Sequence, residues 1–122
     1  MTEAREIFAL IDQLDAHAVA ALFAEDAVMV FGNNDQLLGR AAILAGNTAM
    51  LAHIKGLRHV VRQEWTVDDT TIAVTDVTYT RRDDKQVTVP AVSIWRVDGD
   101  GLIAESELEI ERNLVDLHVM LR

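Results

Sequence analysis

Four glutamates near the end of the chain are the first residues whose type and spacing could do chemistry. Glu105, Glu107, Glu109 and Glu111 occupy every second position, and residues with this spacing lie on one face of a β-strand. A carboxylate in a pocket can act as a general acid or base, whereas carboxylates on a solvated face contribute only charge. The direction of this acidic face therefore decides between a catalytic site and an ordinary surface.

A further carboxylate lies inside an apolar strand. Asp76 falls in the stretch Ile72-Ala-Val-Thr-Asp-Val-Thr-Tyr, where strand propensity disfavours an aspartate. Burial of an unpaired carboxylate is costly. Asp76 therefore either points into a polar cavity or lies on an exposed face with Thr78 and Thr80, and both alternatives stay open.

Histidine is the side chain that titrates nearest to neutral pH, and the chain has four. His59 opens the first long strand, where an opposing carboxylate would complete a histidine–acid pair for proton transfer. The alternative is a hydrogen-bonded histidine at a strand edge. We expect the others to lie at the surface: His17, His53 and His118. A metal site from His53 and His59 would need further ligands that the spacing does not supply, so we expect no metal and no other cofactor.

Composition narrows the function classes. The chain has 122 residues, half of them apolar, and no cysteine, which predicts one domain over residues 1–122 without disulfides, thiolate metal sites or a cysteine nucleophile. Its formal charge of -9 disfavours nucleic acid and anionic membranes as partners. No Gly-x-Ser-x-Gly motif and no glycine-rich phosphate loop occurs, so serine hydrolysis and nucleotide binding through those motifs are unsupported.

The first residues do not read as a secretory leader, and no apolar run approaches the length of a membrane span. We therefore expect a soluble cytoplasmic protein without a membrane partner.

The elements that must position these residues fall into a helical third and a strand-rich remainder. Ile7, Leu10, Ile11 and Leu14 have the spacing of one buried helix face, with Thr2 as the N-cap. Asp15 is expected to cap a short second helix that runs through 22–23 and leads into a strand over 27–31.

Gly39-Arg40 opens a third helix, which Gly46 should weaken by roughly 1 kcal/mol relative to alanine. Four alternating stretches then predict strands over residues 59–67, 71–80, 87–97 and 102–112. Their short connections make them antiparallel neighbours. The order predicts an α+β fold, with three N-terminal helices packed on a curved antiparallel sheet.

A set of short motifs in fixed order resembles the nuclear transport factor 2-like superfamily, in its SnoaL-like polyketide cyclase branch. These motifs are Leu14-Asp15, Leu22-Phe23-Ala-Glu-Asp26-Ala-Val28, Gly39-Arg40, Arg58-His59-Val60 and Gly101-Leu-Ile103. The resemblance implies a cone-shaped fold with a pocket between helices and sheet, in a protein that is usually dimeric through the outer sheet face. It does not imply one activity, because fold does not fix function.

The resemblance also implies site residues. Glu111 takes the place of the acid that ends the final strand in many relatives, and Asp76 takes the place of an acid on a middle strand, with Val74 where epoxide-hydrolase-like members carry an arginine. His59 is placed at the pocket rim. We therefore predict Asp76, Glu111 and His59 as catalytic residues.

Two functions from different classes remain. The first is an enzyme of the SnoaL-like type that moves protons without a cofactor, as a cyclase, dehydratase, isomerase or hydrolase, on a hydrophobic small molecule. The alternative is a non-catalytic ligand-binding or dimerising module of the same fold. In both cases we expect a homodimer, because helices on one side of a sheet leave apolar residues of its other face exposed.

Overall fold

The computed structural model describes residues 4–32 and 35–110, with side chains as far as Leu108. The elements along the chain are α1 (Ala4–Ile11), α2 (Ala16–Ala20), β1 (Phe23–Phe31), β2 (Leu37–Leu38), α3 (Arg40–Leu51), β3 (Ile54–Val67), β4 (Thr70–Arg81), β5 (Gln86–Val97) and β6 (Ile103–Ile110). This confirms the α+β class. The predicted helix cap at Thr2 lies outside the described residues.

One six-stranded sheet contains all the strands of the described chain, in the order β2-β1-β6-β5-β4-β3. The last four strands form the predicted antiparallel meander. The pairing of β1 with β6 is parallel, and the sequence did not predict it. Through this contact, the first strand of the chain pairs with the last strand that the structure describes.

The second helix is shorter than predicted, and the strand after it begins at Phe23 rather than Ala27. Asp15 caps α2 as expected, with its carboxylate accepting from the N–H of Ala18 at 3.1 Å. Phe23 and Ala24 are buried and Phe23 pairs with Ile103 of β6. Pairing with the sheet therefore overrides the helical pattern at this point.

Gly46 lies in the middle of α3, where glycine lowers helix stability. A Cβ atom at this position would lie 2.7 Å from Cδ1 of Leu37. The missing side chain allows β2 to approach the helix closely. A side chain at this position would require the Leu37 side chain to move, so the glycine that weakens α3 locally eases its packing against β2.

The two faces of the sheet differ in what covers them. Alternate residues of β4 are buried, from Thr71 through Tyr79, and these residues face the helices. The other face, called here the outer face, leaves three large apolar side chains of β3 exposed: Val60 at 43%, Trp65 at 50% and Val67 at 67%.

The core under the helices consists of two clusters. Cluster one joins α1 to one end of the sheet and includes Phe8, Ala73 and Trp95. Cluster two lies at the other end and includes Val77 and Tyr79. The boundary between the two clusters is called here the seam, and two buried polar residues lie there, Thr75 on β4 and Ser93 on β5.

Candidate acid–base site

His59 and Asp12 form a pair at the seam. His59 Nδ1 lies 2.6 Å from Asp12 Oδ1, and the backbone N–H of His59 donates to Asp12 Oδ2 at 2.9 Å. Both carboxylate oxygens of Asp12 are therefore bound to the same residue. Two contacts of this kind fix the position and the plane of the imidazole ring.

The turn that follows α1 positions the carboxylate of Asp12. The N–H of Asp12 continues the helix by donating to Phe8 O at 2.9 Å, and Leu14 then adopts a left-handed conformation with a φ of 62°. This conformation costs a leucine roughly 1–2 kcal/mol. Partial burial of Leu14 against cluster two holds it there. The strained turn lets the chain leave the helix with Asp12 directed at β3.

One aromatic side chain covers a face of the histidine ring, and a second packs against the first. Phe8 stacks on His59 with ring centroids 4.5 Å apart and an angle of 15° between the planes. Trp95 meets Phe8 edge to face at 5.8 Å. The side chain of His59 retains 9% exposure and that of Asp12 21%. The pair is therefore largely desolvated but not sealed.

Burial determines the charge of the histidine. Desolvation lowers the pKa of His59 below its usual value of 6.5, and the hydrogen bond and charge of Asp12 oppose that shift only in part. The ring is thus neutral at neutral pH. Since a carboxylate oxygen accepts, Nδ1 carries the proton and Nε2 carries a lone pair. Within residues 4–32 and 35–110, no group forms a hydrogen bond with Nε2.

The His59–Asp12 pair lies between the two clusters. His59 stacks on Phe8 of cluster one and pairs across the sheet with Val77 of cluster two. A neutral imidazole that a carboxylate orients, that stacks on a phenylalanine and whose Nε2 is unpartnered within the described part of the chain has the arrangement of a general base. After it has taken a proton, the adjacent carboxylate stabilises the imidazolium.

Asp76, which the sequence placed in a pocket with His59, lies on the other face of the sheet. It pairs across the strands with Val60, its side chain is 38% exposed, and one oxygen lies 3.5 Å from Nη1 of Arg62. His59 pairs with Val77, and adjacent residues of a strand point to opposite faces. The structure therefore does not bring Asp76 and His59 together, and the carboxylate beside His59 is Asp12.

The two glutamates of the last strand whose side chains are described lie on the outer face as well. Glu105 and Glu107 are exposed and pair with Arg96 and Ile94 on the outer face. Arg96 Nη2 donates to Glu105 Oε1 at 3.2 Å. Glu111 lies outside the described residues, so its place in a pocket stays a prediction.

The sequence did not reveal Asp12, because its contact with His59 spans 47 positions along the chain. The sequence does contain one signal for Asp12, which is its helical spacing from Phe8. Phe8 and Asp12 are four residues apart, so they lie one above the other on a helix surface. An acid that continues the buried face of Phe8 is a candidate for an interior partner.

Tyr79 is the only tyrosine of the chain and lies on the helix-facing side of β4, 2% exposed. Burial raises its pKa to about 12. The phenol thus keeps its proton throughout the pH range in which His59 titrates, and it does not act as a base there.

A concave feature lies at the surface between α2, α3 and β1, away from the His59–Asp12 pair. It is an open cleft of about 440 Å³ lined by His17, Ala20, Ala21, Glu25, Arg40, Ala41 and Leu44. Arg40 donates from Nε and Nη2 to the backbone oxygen of Phe23 at 2.9 and 2.7 Å. Its guanidinium therefore holds the start of β1.

Solved structures share this fold. A nuclear transport factor 2-like protein of unknown function from Burkholderia pseudomallei is 15% identical, with a TM-score of 0.82 over 96% of this chain and 92% of that one. TerC, co-crystallised with polyporic acid, is 18% identical, with a TM-score of 0.77 over 94% and 92%. SalBIII, an epoxide hydrolase/cyclase-like enzyme in pyran ring formation, is 17% identical, with a TM-score of 0.75 over 87% and 85%.

The fold and the family agree. The SnoaL-like domain model matches residues 4–106, and the chain belongs to this family. No curated protein matches the chain significantly. Among residues 4–32 and 35–110, no helix is long and apolar enough to cross a membrane. In the same residues, no group of three or more histidines and acids could hold a metal ion.

Proposed function

We propose that this protein is an enzyme that moves protons on a hydrophobic small molecule without a cofactor. The observation that carries the proposal is the largely buried His59–Asp12 pair, whose Nε2 has no hydrogen-bond partner among residues 4–32 and 35–110. His59 acts as the general base and then as the general acid, and Asp12 acts as a positioning residue that fixes the tautomer.

The reaction follows from the geometry in two steps. Nε2 removes a proton from a carbon or a hydroxyl group of the substrate, and the electron pair of the broken bond stays on the substrate. The imidazolium, stabilised by Asp12, then returns the proton to another atom of the same molecule or to a leaving oxygen. Cyclisation, dehydration and isomerisation all proceed through such steps. Hydrolysis does so when Nε2 takes the proton from a water molecule, whose oxygen forms the new bond to the substrate while the bond to the leaving oxygen breaks and that oxygen receives the proton.

The apolar surroundings indicate the kind of substrate. Phe8 stacks on the ring and Trp95 packs on Phe8, and apolar surroundings of this kind favour a largely apolar ligand. TerC was crystallised with polyporic acid, and SalBIII is described as epoxide hydrolase/cyclase-like. These similarities support a small-molecule ligand for this chain.

The outer face favours a second function, dimerisation. Val60, Trp65 and Val67 are exposed there at 43–67%, and such patches mark interfaces. We propose a homodimer through this face, either in the enzyme or as the sole role of a binding module. Sedimentation at micromolar protein should give twice the 13.5 kDa mass of the chain. A monomer alone would contradict it.

The enzymatic proposal is tested by a panel of hydrophobic ketones, epoxides and hydroxy ketones, assayed with the wild type and with His59→Gln. Any substrate that the wild type converts should be converted at least a hundredfold more slowly by the variant, the usual scale for loss of a general acid or base. Equal rates for both proteins would exclude His59 as the acid–base group.

A further inference from the structure

Thr75 carries a hydroxyl group that the described structure leaves without a partner. The residue is 0% exposed, and no hydrogen bond to its Oγ1 exists within residues 4–32 and 35–110. Buried hydroxyl groups are almost always hydrogen-bonded, because the loss of water is otherwise uncompensated. This hydroxyl therefore calls for a partner that the described chain does not supply.

Thr71 shows what an ordinary buried threonine does in the same strand. It lies on the same face of β4, is 6% exposed, and shares a hydrogen bond of 3.0 Å with the hydroxyl of Thr66 on β3. The residue opposite Thr75 on β3 is Val61, and the residue opposite it on β5 is Ala91. Neither side chain can accept or donate a hydrogen bond.

Thr75 lies at the seam, next to the acid–base pair. It is placed between Ala73 of cluster one and Val77 of cluster two, and Val77 is the cross-strand partner of His59. His59 and Thr75 are thus diagonal neighbours on one face, about 7–8 Å apart in ordinary sheet geometry. A small molecule that contacts both Nε2 and this hydroxyl would span that distance and would displace the side chains that cover Thr75, which is 0% exposed.

We propose that Thr75 is a ligand-binding residue that donates a hydrogen bond to a carbonyl oxygen of the substrate. The ligand class is then an apolar, mostly hydrocarbon molecule with one carbonyl group, bound at the seam between the two clusters. This deepens the proposed function by naming the polar group of the substrate. It rests on that function for the location of the site, but it is tested by binding alone.

The test compares two probes of the same shape, 1-indanone and indane, which differ in a carbonyl oxygen. Dissociation constants are measured by NMR titration for the wild type, Thr75→Val, Thr75→Ser and Thr71→Val. Valine replaces the hydroxyl by a methyl group without changing the volume. Serine keeps the hydroxyl. Thr71→Val is the matched control, a buried threonine of the same strand with its own partner.

In the wild type, the carbonyl should improve binding relative to the hydrocarbon. Thr75→Val should lower the indanone-to-indane affinity ratio about tenfold, the scale of one hydrogen bond in an apolar site. Thr75→Ser and Thr71→Val should leave the ratio unchanged. Thr75→Val should also melt at a higher temperature than the wild type, because it removes an unpartnered hydroxyl, whereas Thr71→Val should melt lower.

Two results would overturn the proposal. One is an unchanged ratio in a folded Thr75→Val protein, and the other is failure of the wild type to bind either probe. The outcome is separable from that of the proposed function. If His59→Gln loses activity but Thr75→Val leaves the affinity ratio unchanged, the proposed enzymatic function stands and Thr75 is not part of the ligand site. If Thr75→Val changes the affinity ratio but His59→Gln keeps full activity, Thr75 binds the ligand and His59 is not the acid–base group.

Discussion

Replacement of His59 by glutamine is expected to lower turnover by two to four orders of magnitude. Glutamine retains a hydrogen-bonding side chain but has no group that gains and loses a proton near neutral pH. The ring that Asp12 orients at 2.6 Å and that Phe8 holds by stacking is removed. Initial rates with a substrate from the panel, measured for both proteins at equal concentration, provide the test.

The matched control for this variant is His53→Gln. His53 is exposed at the end of the turn after α3, and it shares no contact with the pair. Its replacement should leave turnover unchanged. Circular dichroism should show that both variants keep the fold. A folded His59→Gln protein within threefold of wild-type turnover would contradict the proposed role.

Phe8→Ala is expected to lower the free energy of unfolding by about 3–5 kcal/mol, the range for removal of a buried phenylalanine. Phe8 is 4% exposed and contacts both the ring of His59 and the edge of Trp95. Its loss leaves a cavity in cluster one beside the acid–base pair. Urea unfolding at pH 7 measures the change.

The control for Phe8→Ala is Leu38→Ala. Leu38 lies on the two-residue strand β2 and is 65% exposed, so its truncation should change the stability by about 0.5 kcal/mol or less. If Phe8→Ala lowered the free energy of unfolding no more than Leu38→Ala, the packing of Phe8 against His59 and Trp95 would be contradicted.

Periodicity predicted the parts of the fold that repeat locally. The alternation in β4 is a clear example, because each buried residue from Thr71 to Tyr79 is followed by a partly exposed one. The apolar spacing of α1 likewise predicted the burial of Ile7. Both patterns arise from geometry within a single element, and for this reason a sequence reveals them.

Contacts between distant elements escaped such reasoning. The parallel pairing of β1 with β6 joins Phe23 to Ile103, and the pairing of Asp12 with His59 joins a helical turn to a strand. Neither contact leaves a local pattern. Alternation showed only that Asp76 and Val77 face opposite sides, and not which side the helices cover. The helices cover the side of Val77, which leaves Asp76 on the outer face beside Arg62.

The acid stability of the protein should depend on the same histidine. The pKa of His59 is lower in the folded protein than its unfolded value of 6.5. The unfolded chain therefore binds more protons at this site below pH 6.5, and the free energy of unfolding falls as the pH decreases from that value towards the folded pKa. Above pH 6.5 this contribution to stability is fully present.

The ¹⁵N chemical shifts of the His59 ring, followed by NMR from pH 8 to pH 4.5, test the central claim most directly. We predict a neutral ring at pH 7 with the proton on Nδ1 and none on Nε2, and a titration midpoint below 6.5. Asp12→Asn should lower that midpoint further, because it removes the charge that favours the imidazolium. A ring that carries its proton on Nε2 at pH 7, or a midpoint above 6.5, would contradict the account.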